Sequence, residues 1–177
     1  MTTAVKKMSA MLTALAVVFA ICLTSCGDDN DEPEPAPGAT HPAKIGVAYS
    51  LELGDAWWDF FDIEVSYTTP DGQLQTRTVH KGWVYAASTK YEIAAREFKF
   101  SAKATPKASQ PQIDPNATYN LNHAYTFTAY GLKDNDEQES VLVHGSGSAT
   151  LSMAGSKFAE YAAKPHETLG SGSWKIK

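Results

Sequence analysis

The chain has 177 residues, 43% of them hydrophobic and 20% charged, with 20 acidic against 15 basic residues and a formal net charge of −5. It has no clustered Lys or Arg, which argues against nucleic acid as a partner and against polybasic docking to anionic lipid. With only two cysteines, Cys22 and Cys26, disulfide frameworks, thiolate metal sites and cysteine nucleophiles have little to draw on.

Lys6 and Lys7 precede an apolar stretch, Ala10–Leu23, of 14 residues. A bilayer span needs about 20 residues, so this length fits the apolar core of a secretory signal instead. Leu23-Thr24-Ser25-Cys26 closes the stretch and resembles the bacterial lipobox. That resemblance implies diacylglyceryl transfer to the Cys26 sulfur, cleavage just before it and acylation of the new amine. Residues 1–25 are then a signal peptide, and Cys26 is the lipidation site of a mature chain without a free thiol. The competing readings are an uncleaved membrane helix and a secreted protein with a free Cys. Each buried methylene contributes about 0.8 kcal/mol, so two or three acyl chains anchor stably where one does not.

Residues 26–43 read as a lipidated Cys followed by a tether. Gly27-Asp28-Asp29-Asn30-Asp31-Glu32 leads into Pro33-Glu34-Pro35-Ala36-Pro37-Gly38, a segment with five carboxylates and no basic residue. It cannot bury a core and stays extended, and the 17 residues from Gly27 to Ala43 span about 50 Å if polyproline-like and roughly 25 Å as a coil. An acidic run just behind the lipidated Cys is similar to the export signal of surface lipoproteins in the Bacteroidota. The resemblance assigns Asp28, Asp29, Asp31 and Glu32 to that signal and implies the outer face of the outer membrane. The other reading is a solvated linker without a sorting role. The mature chain holds 13 basic against 20 acidic residues, a net −7, of which five negatives sit in the tether.

Residues 44–177 then form one domain with period-two patterning. Val47, Tyr49, Leu51 and Leu53 alternate with Ala48, Ser50, Glu52 and Gly54. Phe61, Ile63, Val65 and Tyr67 alternate with Asp62, Glu64, Ser66 and Thr68. Thr69-Pro70-Asp71-Gly72 supplies turn chemistry, and Gln73–Val79 returns as the second arm of a hairpin. Phe98, Phe100, Ala102 and Ala104 mark another strand. Pro106, Pro111 and Pro115 predict a long surface loop over Thr105–Ala117. Tyr119 to Ala129 is the longest alternating run, and Lys133–Ser140 reads as a charged turn. Ser140–Met153 resumes as extended chain, where Gly145 and Gly147 suggest a bulge or an edge. Only Ser156–Lys164 has helical character, stopped by Pro165, before a last strand at Trp174 and Ile176.

About seven short strands and one brief helix near the C-terminus predict an all-β fold, an Ig-like β-sandwich without the Ig cysteines, with a small β-barrel as the alternative. The pattern looks similar to the small β-sandwich lipoproteins of the Bacteroidota. That likeness carries no diagnostic motif and transfers no functional residues.

The chain carries few chemical motifs, and no catalytic residue, metal or cofactor is expected. Asp134 to Glu139 begins like a calcium loop but has Glu139 where such loops turn on Gly. His80, His123, His144 and His166 lack zinc spacing, and His123 reads as a core histidine with a satisfied hydrogen bond. Gly145-Ser146-Gly147-Ser148 does not match a nucleophile elbow, and no two carboxylates are singled out as a glycosidase pair. Asp55-Ala56-Trp57-Trp58-Asp59-Phe60-Phe61 is the distinctive segment. Trp57 and Trp58 read as a binding platform or as a plug at one end of the sandwich. If the chain is extended from residue 57, strand parity turns Trp57 inward and Trp58 outward. Trp83 reads as a core-edge residue with its indole nitrogen bonded to a carbonyl. The expectation is a membrane-anchored, non-enzymatic binding or accessory module for a protein or glycan. The alternatives are an extracellular polymer hydrolase and a periplasm-facing structural envelope protein.

Overall fold

The computed structural model describes residues 41–177, so Cys26 and the acidic run lie outside the described residues. In chain order the elements are β1 (Lys44–Leu53), α1 (Asp55–Phe60), β2 (Phe61–Thr68), β3 (Leu74–Val79), β4 (Trp83–Lys90) and β5 (Glu97–Pro106). There follow β6 (Thr118–Asn120), β7 (His123–Leu132), β8 (Gln138–Ala149), β9 (Ser152–Ala154), α2 (Gly155–Ala162) and β10 (His166–Lys175). Two four-stranded antiparallel sheets, ordered β4-β1-β7-β8 and β10-β5-β2-β3, are joined by a small β6-β9 ribbon. Neither sheet closes on itself, so the fold is a β-sandwich and not a barrel.

Alternation places the core. Ile45, Val47, Tyr49 and Leu51 from β1 and Ile63, Val65 and Tyr67 from β2 are buried, as are Phe98, Phe100, Ala102 and Ala104 from β5. Tyr49 sits at its centre, with ring centroids 4.8 Å from Phe127 and 5.8 Å from Tyr67. Its hydroxyl donates to the Thr68 carbonyl at 2.8 Å, which satisfies the one polar atom the ring takes inside. Burial pushes that phenol well above its usual range.

The β2–β3 hairpin turns on Thr69–Gly72 as its residues predict. Gly72 N–H donates to the Thr69 carbonyl at 2.9 Å, and Gly72 takes φ of 87°. β5 runs on to Pro106, which pairs with Phe61 at the end of the ladder, and the chain then leaves the sheet. The long run from Tyr119 is divided: β6 leaves to pair with β9, and Leu121 N–H turns to the Leu151 carbonyl at 2.7 Å.

The expectation of extended chain through Trp57 is wrong, because Asp55–Phe60 is helical. Ala56, Trp57 and Phe60 form its buried face, while Asp55 and Asp59 lie one turn apart on the exposed face. Asp55 in the first turn suits the positive end of the helix. Phe60 O accepts from Lys107 N at 3.0 Å and from Gln110 Nε2 at 3.0 Å. Gln110 Nε2 also reaches the Ala162 carbonyl at 2.9 Å, tying the ends of both helices to the proline-rich loop. Among the described residues no helix is long and apolar enough to cross a membrane.

Candidate functional site

Trp57 is 2% exposed and presents no face to a partner. Its ring packs against Phe61 at 5.1 Å, His166 at 5.6 Å and Tyr161 at 6.0 Å. Trp58 is half-buried, and its indole N–H is already committed to the Leu53 carbonyl at 3.1 Å. Trp57 thus lies in the core, but helical period, not strand alternation, turns it inward. The four sequence-derived export residues, Asp28, Asp29, Asp31 and Glu32, and the lipidation residue Cys26 fall outside the described residues.

His123 corrects another expectation. Its Nδ1 is buried without a hydrogen-bond partner among the described residues, as is Trp57 Nε1, and the two rings lie 6.5 Å apart. Burial lowers the His123 pKa below its ordinary 6.5, because the neutral ring is the cheaper species to desolvate. His166 stacks on Tyr161 at 4.0 Å with its Nε2 3.1 Å from the Tyr161 carbonyl, while His144 bonds Thr128 Oγ1 at 2.9 Å. His123 and His166 both pack against the Trp57 ring, while His144 lies on β8. Among the described residues no three His, Cys, Asp or Glu side chains gather as a metal site. In the Asp134–Glu137 turn, Lys44 Nζ bonds the Asp134 carbonyl at 2.9 Å and Asp136 Oδ1 at 2.8 Å. An ammonium thereby takes the place a cation would need.

Two open clefts flank Gly54 at the α1 end. One, of about 320 Å³, is lined by Glu52, Asn122, His123 and Ser148. The other, of about 370 Å³, is lined by Asp55, Asp59, Tyr119 and Asn120. Both are shallow and wide to solvent, the form of a surface contact more than of an enclosed reaction site.

The four sheet edges differ more sharply. β8 and β10 cover each other: Trp174 lies against Gly145 and Gly172, and Tyr125 against Gly147 and Gly170, where any Cβ would collide with the rings. Tyr125 donates from its hydroxyl to the Ser171 carbonyl at 2.8 Å, sewing the two sheets together. Both strands also carry irregular registers, β8 opposite Ala129–Leu132 and β10 between His166 and Gly170. β3 is a short edge of six residues, and Arg77 stands opposite the buried Val65, a charge on the inward-facing side. Short length, irregularity and inward charge each discourage further strand pairing.

β4 has none of these. Its eight residues pair with β1 from Trp83 to Lys90 without a register shift, and from Trp83 to Thr89 they carry no charge, proline or glycine. Val84 is 65% exposed on the outer face. On the inner side Trp83 and Tyr85 are half-buried, nearly parallel at 11° and 6.3 Å apart, and both rest on Tyr67 at 4.9 and 4.5 Å. Neither the Trp83 indole N–H nor the Tyr85 hydroxyl has a protein partner among the described residues. This corrects the expected Trp83 bond to a carbonyl. The Tyr85 phenol is raised chiefly by burial, then by Tyr67 and Asp71, against a small opposing effect of Arg77. Sequence reasoning noted Trp83 and missed β4 itself. The signal was Trp83-Val84-Tyr85, three strand-favouring residues in a row, weakened by the two alanines that follow.

No family model, curated protein or solved structure matches the chain.

Proposed function

We propose that the protein is a lipid-anchored module displayed on the outer face of the outer membrane, binding a protein or glycan partner without chemistry of its own. The lipobox and the acidic run support the anchor and the address. The single observation that carries the binding reading is the β4 edge, which pairs with no further strand among the described residues and bears two aromatic side chains whose donors have no partner among those residues. Half-buried aromatics at the rim of a rigid scaffold bring contact area at little entropic cost. The experiment is protease digestion and site-specific photo-cross-linking on intact cells. Wild type should be digested from outside, and a cross-linker at Ser88 on β4 should give a discrete adduct that the same group at Thr150 does not. Resistance to protease in intact cells would return the protein to the periplasm-facing reading. Equal labelling from both positions would remove the binding surface.

A further inference from the structure

We propose that β4 is the docking edge for an extended segment of a partner protein, which joins the first sheet as a fifth strand with small or apolar residues at its centre and acidic residues at its ends. This rests on the binding reading above and names the chemistry of the partner. An edge strand paired on one side points the backbone N–H and C=O of alternate residues outward, a template that natural sheets usually blunt. Here three edges are blunted and the fourth is not. β4 is longer than β3 by two residues, keeps regular register and is uncharged across its centre. Strand addition takes affinity from main-chain hydrogen bonds and specificity from the side chains on either side. On the inner side, Trp83 and Tyr85 form a wall whose indole N–H and hydroxyl have no partner among the described residues. On the outer side, Ala86 and Ser88 leave room for a partner's side chains.

The ends decide the occupant. Lys81 and Lys90 bracket β4, are exposed, and have no ion-pair partner among the described residues. A second copy added antiparallel sets Lys90 of each beside the Lys81–Trp83 end of the other, and a parallel copy sets lysine beside its own counterpart. Like charges directly opposed across strands destabilise the pairing. A partner strand with Asp or Glu at both ends meets the two lysines favourably, and a small or β-branched centre clears the aromatic wall.

The test uses the mature chain with Cys26→Ser, ¹⁵N-labelled, and two capped peptides. One is Asp-Glu-Thr-Val-Ser-Val-Thr-Val-Glu-Asp, and the other has lysine at its four acidic positions. Expected are slowed hydrogen exchange at alternate β4 amides with the acidic peptide and roughly tenfold weaker binding of the lysine peptide. Ser88→Glu should weaken the acidic peptide about fivefold, while His144→Glu on the β8 edge leaves it unchanged. Equal binding of the two peptides, protection on β3 or β8, or no response at millimolar peptide would overturn the proposal. So would concentration-dependent protection of β4 without peptide, which would make a second copy the occupant. A cello- or chito-oligosaccharide that shifts Trp83 and Tyr85 while the peptides do nothing would overturn it in favour of a glycan. That outcome would leave the broader binding reading standing, whereas failure of the intact-cell cross-linking would not depend on the peptides at all.

Discussion

Where β8 meets β10, Tyr125 and Trp174 lie in hollows left by four glycines and a hydroxyl ties one sheet to the other. At the opposite edges, β3 and β4, Trp83 and Tyr85 lean on Tyr67 and remain half-open to solvent. Both flanks use large aromatic side chains. The two flanks differ in what their strands carry: on the closed one glycines leave room for rings to bridge the two sheets, whereas β3 on the open one carries Gln75 and Arg77 at its inward-facing register positions. A closed flank is a packing solution and an open one is a surface, so substitutions should be felt as stability on the first and as recognition on the second.

The largest effect belongs to the core that both flanks enclose. Trp57→Ala should cost roughly 3–5 kcal/mol in denaturant melts, since the cavity would lie among Phe61, Tyr161 and His166, and Trp58→Ala should cost clearly less. Equal losses would mean that the half-buried ring is as much core as the buried one. On the closed flank, Gly145→Val places atoms where the Trp174 indole sits and should cost about 2–4 kcal/mol. Its counterpart on the open flank, Ala86→Val, should stay within about 0.5 kcal/mol. Similar melts for this second pair would erase the distinction between the flanks.

How much of this was readable beforehand follows from what each feature depends on. The β2–β3 hairpin could be read because Pro70, Asp71 and Gly72 carry the turn chemistry locally and because Ile63, Val65 and Tyr67 alternate cleanly. The short helix at Gly155–Ala162 was legible because Pro165 ends it and Phe158 and Tyr161 share a face. Helix α1 was not, because Trp57 and Phe61 fit both the period of a strand and that of a helix over so few residues, and Phe60 alone breaks the strand parity. The open edge was further out of reach. Whether β4 is an edge depends on which strands it pairs with, and no residue of β4 encodes the absence of a neighbour. Gly145 and Gly147 suggested an edge correctly, yet their reason for being glycine lies in Tyr125 and Trp174, which come from other strands.

The α1 end offers a third arrangement, open to solvent at its two clefts yet with two buried polar atoms that have no partner among the described residues. His123 is held below its unfolded pKa of about 6.5, so the unfolded chain takes up a proton first as pH falls. The stability it contributes is complete above that value and is lost as pH drops from it towards the lower folded pKa. Thermal melts between pH 7.5 and 5 should show this loss, and His123→Leu should flatten the slope. An unchanged slope would assign the pH dependence elsewhere.

The smallest effect on stability is expected at Arg77, and it bears most directly on why one edge is open and the other is not. Its side chain is exposed although its register position faces inward, and its only hydrogen bond among the described residues is a long one, 3.4 Å to Gln75 Oε1. Removing it should change unfolding free energy by no more than about 0.5 kcal/mol. If Arg77 guards the β3 edge, Arg77→Val leaves six uncharged residues in regular register beside β2, and the protein should begin to self-associate through β3 as concentration rises. Sedimentation of wild type and variant at matched concentrations measures this, with Arg77→Lys as the control that keeps the charge. Association by Arg77→Val alone would show that β3 is blunted by its inward charge, leaving β4 as the edge without that protection. Two variants that both remain monomeric would mean that β3 is protected by its short length, and the contrast with β4 would then rest on two residues of strand and on the lysines at its ends.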